Sequence, residues 1–236
     1  MEVNLTINPP KRFVVKISGH ILNPDNVGLV IRYGKLLREF WGKGLALSVV
    51  VGGGVYARKY IGAVREIGAS EAFCDMLGIH VTRANALLLI SAIGYDAAFP
   101  EPPRSLGEFL KAYSSGKVVV CGGFEPGQST AAVAALIAEA INADILALAA
   151  RVDAVYDKDP KLYPDAKKLD AVSIGKLKEI LEEQSVKAGR YELLDPLAIK
   201  IIERSKTPVV VFNGRKVEYL EKLVYEGKIF GTLITK

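Results

Sequence analysis

The chain has 236 residues, half of them hydrophobic and 24% charged; that supports a sizeable core and excludes a disordered or fibrous protein. Basic residues exceed acidic ones by 31 − 26 = +5, with a sequence pI near 9.0. The excess suits an anionic small ligand, and with no basic tail or stripe it does not indicate nucleic acid.

In chain order, Phe13–Ile17 is a short β-branched strand, and Pro24–Lys43 follows with apolar residues at helical spacing. Leu45–Val51 is a second buried strand, and Val55–Ile67 and Ser70–Ile93 read as helices. Lys117–Cys121 is a third strand, Thr130–Asn142 an apolar helix, and Asp144–Leu148 a fourth strand. The polar stretch Val152–Lys168 is non-periodic. Asp195-Pro196 is an N-cap followed by proline at the first helical position, opening a helix through Arg204. Pro208–Phe212 is a further strand, Asn213-Gly214 a turn, and Val217–Tyr225 a last helix stopped at Gly227. Alternating strands and helices predict an α/β fold around a mainly parallel sheet covered on both faces. We expect one domain over 1–236, with an internal boundary between two lobes near residue 142.

Two cysteines, Cys74 and Cys121, without CxxC spacing argue against a disulfide scaffold, a zinc ribbon or a redox motif. Thr130–Ala150, the most apolar long stretch in this reading, carries Glu139, Asn142 and Asp144, so no membrane span is expected. The start, Met1-Glu2-Val3-Asn4, lacks a secretory pattern, and the expectation is cytoplasmic. Few Gln, Met and Cys beside many Lys, Arg and Glu suit a hot environment.

Ligands of an open α/β sheet bind beyond the carboxyl ends of its strands. Three glycine-bearing loops fall there: Lys16-Ile17-Ser18-Gly19-His20, Gly52-Gly53-Gly54, and Gly122 to Thr130. Glycine lets backbone N–H groups approach an anion, and a following helix N-terminus adds positive potential. A tight turn explains any one of these loops; three, each between a strand and a helix, point to an anion site. No GxxxxGK[ST] string occurs, which excludes a Walker-type site. Gly52 to Ala57 matches G-x-G-x-x-A, but Glu71 and Asp75, at the distance of the ribose-binding acid, lie in a helix-like segment rather than at a strand end.

Lys16, at the strand-to-loop passage, is placed to bind polyphosphate; alone it reads equally as a solvated strand-end lysine. Arg58 lies one turn into the helix after the triple glycine, within reach of a phosphate or simply exposed. Asp75 shares a helix face with Ile79 and Thr82 and is either a hydroxyl acceptor or a surface acid. His20 and His80 have no His or Cys companions, so no metal site is assigned.

Lys16-Ile-Ser-Gly, Val49-Val-Val-Gly-Gly-Gly, Gly122-Gly-Phe-Glu-Pro-Gly-Gln-Ser-Thr130, and Ala143-Asp-Ile-Leu with Val152-Asp-Ala-Val-Tyr156-Asp-Lys-Asp-Pro160 together resemble the amino acid kinase superfamily. Ser70–Asn85 and Tyr191-Glu-Leu-Leu-Asp-Pro196 are similar to its archaeal-type uridylate kinases. The resemblance implies a three-layer αβα sandwich around a mostly parallel sheet of about eight strands, within the usual range for a large sheet. It implies transfer of the ATP γ-phosphoryl group to UMP with Mg²⁺, a homohexamer, and UTP as a candidate inhibitor. It places UMP on the lobe of about 1–142 and ATP on the lobe of about 143–236.

Carried over by position, Lys16, Gly19 and His20 lie at the transferring phosphates, and Lys16, Gly19 and Arg58 are the catalytic set. The resemblance gives ATP Gly19, His20, Gly54, Arg58, Ala150, Arg151, Tyr156 and Asp159. It gives UMP Gly53, Asp75, Phe124, Glu125, Pro126, Gly127, Gln128, Ser129 and Thr130. The chain departs from the pattern at four places. Ala150-Arg151 stands where many relatives have Thr-Asp or Thr-Asn, Ala154 replaces a glycine, and Ala131 stands where many have an Asp that orients catalytic lysines. His20 replaces Glu, Ser or Lys. Another superfamily kinase, with a carboxylate, carbamate or isopentenyl phosphate acceptor, and a catalytically idle UMP- or UTP-sensing protein are the alternatives.

Overall fold

Runs such as Phe13-Val-Val and Val49-Val-Val have no polar alternation, the pattern of strands buried on both faces. In the computed structural model, which describes residues 5–158, 160, 162–186 and 194–236, they form the centre of the sheet. In chain order the elements are β1 (Leu5–Thr6), β2 (Arg12–Ile17), α1 (Val27–Gly42), β3 (Ala46–Val51), α2 (Gly54–Glu66), α3 (Glu71–Ile93), α4 (Leu106–Tyr113), β4 (Val119–Cys121), α5 (Thr130–Ala140) and β5 (Ile145–Ala150). Then follow β6 (Val155–Tyr156), β7 (Lys168–Leu169), β8 (Ala171–Ser173), α6 (Ile174–Val186), α7 (Pro196–Ser205), β9 (Val209–Asn213), α8 (Val217–Glu226), β10 (Lys228–Ile229) and β11 (Gly231–Thr235).

Among the described residues the main sheet has seven strands in the order β4-β3-β2-β5-β9-β11-β8. The first five are parallel. β11 runs antiparallel to β9, and β8 is parallel to β11. The sheet is thus mostly parallel as expected, with one strand fewer than the family pattern of about eight. The pairs β1–β10 and β6–β7 stand apart from it.

Side chains alternate across a strand. In β2, Phe13, Val15 and Ile17 join the core formed with α1, α3 and α8, whereas Val14 enters the opposite core with α5 and α7. The same alternation puts Lys16 on the α5 side. Phe13 meets Phe40 edge-on at 5.7 Å, and Phe40 meets Tyr225 at 5.2 Å, which ties α1 and α8 to the central strand. Full burial of each of the two phenylalanine rings contributes about 1.5–3 kcal/mol.

α3 is long and apolar enough by length and composition alone to cross a membrane, with a mean hydropathy of 1.5 over its most apolar window. Its packing gives the other reading. Cys74, Ala86, Leu89 and Ile90 are fully buried, and the helix lies between α1, α2 and the sheet.

The Pro24–Lys43 helix begins as a 3-10 turn over Pro24–Asn26, with Asn23 accepting from the Asp25 N–H, and continues as α1. Asp195 caps α7 and Pro196 is its first residue. Gly227 ends α8 in the left-handed region, φ 67°. The polar stretch after β5 carries β6 and β7, two residues each. They are held from below by Thr232 of β11, which is fully buried. Its hydroxyl accepts from the Val155 N–H at 2.8 Å and donates to the Leu169 carbonyl. Thr232→Val keeps the shape and removes both bonds, so we expect a loss of about 1–3 kcal/mol. Calorimetry should read this as roughly 2–4 °C in Tm per kcal/mol for a chain of this size; an unchanged Tm would show that other contacts hold the hairpin.

Candidate active site

Parallel strands bring their carboxyl ends to one edge of the sheet. β2, β3, β4 and β5 are adjacent, so the loops that leave them converge. They line one cavity of about 1100 Å³. Lys16, Gly19 and His20 enter from β2, Gly53 and Gly54 from β3, and Glu125 and Gly127 to Thr130 from the loop after β4. Ala150 and Arg151 close the side beyond β5, Arg58 comes from α2 and Asp75 from α3.

The first two loops touch through their backbones. A Cβ on Gly19 would fall 2.2 Å from the Gly52 carbonyl oxygen and 2.4 Å from the Gly54 nitrogen. Gly54 has φ +64°, and its own Cβ would fall 2.2 Å from the Gly19 oxygen. Only glycine fits this crossing. A Cβ on Gly122 would come within 2.4 Å of the Thr82 hydroxyl, which draws the third loop onto α3 in the same way.

Polar side chains, three of them buried, hold the loops in place. Asn23, 2% exposed, donates to the Gly19 carbonyl at 2.8 Å. Asn85, 4% exposed, donates to the Gly52 carbonyl at 2.9 Å. Thr82 donates to the Ile79 carbonyl at 2.6 Å and accepts from the Gly123 N–H at 2.7 Å. Asp75 accepts from the Gly127 N–H at 2.9 Å. Its predicted face-mates Ile79 and Thr82 line the same cavity. Arg83 donates to the Phe124 carbonyl at 3.2 Å; burial, and then the charge of Arg104, lower its pKa.

Sequence reasoning did not single out Asn23; it named Thr82 only as a face-mate of Asp75 and Asn85 only within a motif. Their signal is a polar residue on an apolar stretch: Thr82 and Asn85, three apart, are the buried polar positions of α3.

The remaining predicted residues are placed as follows. Phe124 is 5% exposed and turns its ring into the core beneath the loop, and Pro126 lies on the outside; neither lines the cavity. Tyr156 sits in β6, half-buried, also off the cavity wall, with its hydroxyl pKa raised by burial and then by Asp153. Asp159 and Tyr191–Leu193 lie outside the described residues. Ala131 is 5% exposed and faces the core. Cys121 ends β4 just before the third loop; it is fully buried, and burial raises its thiol pKa.

Electrostatically the cavity is an anion site. Lys16 rises from the central strand on the α5 side, half-buried. α5 starts at Thr130 with Ser129 as its N-cap, the serine oxygen accepting from the Ala131 and Ala132 N–H groups at 3.1 and 3.0 Å. The N-terminus of that helix therefore points its partial positive charge into the cavity. Glycine amides, a cation and a helix N-terminus sharing one space define a phosphate-handling α/β protein.

Comparison with known proteins places it further. A model of the amino acid kinase family matches residues 11–213, and the chain belongs to that family. It is 50% identical to the uridylate kinase of Hyperthermus butylicus over 96% of this chain and 99% of that one. It is 48% identical to the uridylate kinase of Sulfurisphaera tokodaii over 94% and 98%. The crystal structure of uridylate kinase from Archaeoglobus fulgidus superposes with a TM-score of 0.84 at 41% identity, covering 95% of this chain and all of the other.

The backbone crossing yields a prediction. Gly19→Ala forces apart two loops with no slack, and we expect a loss of about 3 kcal/mol or more, the upper range for overpacking. Gly28→Ala, a helical site with nothing within 4 Å of the added Cβ, should leave stability unchanged or raise it by about 0.5–1 kcal/mol. Equal denaturation midpoints for the two variants would show that the crossing is not tight.

Proposed function

We propose that this chain is a uridylate kinase that transfers the γ-phosphoryl group of ATP to UMP, giving UDP and ADP. The observation that carries the reading is the convergence of three glycine loops, Lys16 and the α5 N-terminus on one cavity, in a chain 41–50% identical to uridylate kinases over nearly its whole length.

In this reading the part up to about residue 142 takes UMP and the part beyond takes ATP. Asp75 receives the UMP ribose, and Gly53 with Glu125 to Thr130 surround its uracil and phosphate. Asp75 already accepts the Gly127 N–H through one carboxylate oxygen, which leaves its other oxygen for a ribose hydroxyl. Ala150 and Arg151 border the adenosine. Gly19, His20, Gly54 and Arg58 lie between, at the phosphates.

Phosphoryl transfer needs two phosphates held in line and donors aimed at the equatorial oxygens. The two substrates repel each other. Lys16 and the glycine amides offset that repulsion in a site walled by protein. UMP brings its own phosphate oxygen as nucleophile, so no general base is called for.

Among the described residues no group of three or more His, Cys, Asp or Glu gathers to hold a metal. In this reading magnesium arrives with ATP, because Mg²⁺ keeps phosphate oxygens and water as most of its ligands. When bound, it supplies neutralisation of polyphosphate charge. A homohexamer, a cytoplasmic location, inhibition by UTP and an origin in a hot environment belong to the same proposal.

ATP consumption measured against UMP, CMP, acetylglutamate, aspartate and isopentenyl phosphate tests the reading. UMP should be the preferred acceptor. Preference for another member of the panel assigns a different kinase of the family, and nucleotide binding without turnover assigns a sensor. Lys16→Ala should lower kcat by roughly 10²–10³-fold, the effect of removing one electrostatic donor; a near-normal kcat removes Lys16 from the chemistry. Asp75→Ala should raise KM for UMP far more than KM for ATP, and equal changes would argue against the ribose role.

A further inference from the structure

Asp195 does more than cap a helix. One oxygen, Oδ1, accepts from the Leu197 and Ala198 N–H groups at 3.0 and 3.2 Å, which satisfies the start of α7. The other, Oδ2, accepts from the Ser129 hydroxyl, 66 residues away in sequence. Ser129 is itself the cap of α5 through its lone pairs. Two helix starts are therefore joined by one carboxylate and one hydroxyl. The far ends of the same helices are joined as well. Arg204 of α7 grips Glu139 of α5 with two bonds, at 2.8 and 2.5 Å. α5 and α7 thus run parallel, packed side by side and pinned at both ends.

Only the near pin touches the cavity. Ser129 and Thr130 line it and Asp195 does not. Among the described residues, the Ser129 and Thr130 amides donate to no group within the chain, whereas the Gly127 amide is taken by Asp75 and the Gln128 amide by the Glu125 carbonyl. A hydroxyl that donates to a carboxylate becomes a better acceptor, so Asp195 tightens the Ser129 bonds to the first turn of α5. Capping alone needs one oxygen, and Asn or Ser caps as well as Asp. The second oxygen has no part in α7. We propose that Asp195 is a positioning residue for the acceptor phosphate: through Ser129 it fixes the direction of the amides at the α5 N-terminus. The inference rests on the uridylate kinase reading, in which that turn of chain holds UMP.

Asp195→Asn separates the two roles. The amide oxygen still caps α7, while an NH₂ group now faces a serine oxygen that already accepts two N–H bonds. Steady-state kinetics with each substrate varied, calorimetric binding of UMP and of a non-hydrolysable ATP analogue, and Tm are measured on the full chain. We expect KM and Kd for UMP to rise about tenfold, the loss of one hydrogen bond to a charged group, with the ATP values changed by less than about twofold. Tm should move by no more than a few degrees, since the α7 cap is kept. Ser129→Ala should raise KM for UMP similarly, and the double variant should be no worse than Ser129→Ala, since both remove one link. Unchanged UMP affinity in Asp195→Asn overturns the inference. So does a parallel rise in both KM values with a large fall in Tm, the mark of a merely structural cap. Wild-type protein that neither binds nor phosphorylates UMP fails the functional reading itself, and the inference falls with it.

Discussion

Two turns of backbone, after β2 and after β3, meet with no room for a side chain between them, and the rest of the site is arranged around that contact. Neighbouring parallel strands lie about 4.8 Å apart. Loops bearing side chains would have to splay outward at that spacing. With glycine at 19, 52 and 54 they cross instead, and their peptide groups face the same space. The crossing must then be held, because glycine alone is permissive rather than directive. Asn23 on one side and Asn85 on the other take the carbonyls of Gly19 and Gly52. Once those carbonyls are bound inside the protein, the orientation of the neighbouring peptide planes is restricted.

The parallel sheet supplies the electrostatics without further invention. Every βα passage aims a helix N-terminus at the same edge, so α2 and α5 both begin there. Strand alternation decides which face Lys16, the cation at the carboxyl end of β2, occupies. Val14 sits in the core beneath α5, and two residues on Lys16 shares that side. A shift of one residue in the strand would bury the ammonium against α1 and α3 and leave the cavity without it. The position of the charge follows from pleat geometry and not from any local loop conformation.

This explains what was legible beforehand. The strands of the sheet centre, the three loops, the Asp195-Pro196 helix start and the Gly227 stop are local signals. Each depends on residues within a few positions of one another, and each appears in the structure, the strands with ends shifted from the reading, as Asp144–Leu148 to Ile145–Ala150. α4 and β11 were not legible. α4, Leu-Gly-Glu-Phe-Leu-Lys-Ala-Tyr, spans barely two turns, and β11, Gly-Thr-Leu-Ile-Thr, lacks the unbroken apolar run that marks β9, Val-Val-Val-Phe. The clamps were not legible either. Ser129 and Asp195 are 66 residues apart, and Asn85 meets Gly52 across 33. Nothing in the spacing of such pairs announces that the fold will bring them together. Phe124 shows the converse. Its place in a glycine-rich motif marks the loop correctly, yet the ring itself belongs to the core.

The two sides of the cavity hang on different supports. On one side a single helix face carries Asp75, Thr82 and Asn85, at i, i+7 and i+10, and these hold Gly127, Gly123 and Gly52. The second and third loops are therefore fixed to one rigid rod. The opposite side, after β5, is tied elsewhere. Asp153 accepts from Asn213 of β9 at 2.9 Å, the Ala150 carbonyl accepts from the Gly214 N–H at 2.8 Å, and Thr232 of β11 holds the start of β6. Between these supports stands β2, hydrogen-bonded to β3 on one flank and to β5 on the other. Lys16 belongs to that middle strand. In the proposed reaction, a cation facing two mutually repelling phosphates is best fixed to the element that both sides share, since its distance from each is then set by sheet geometry and by neither loop.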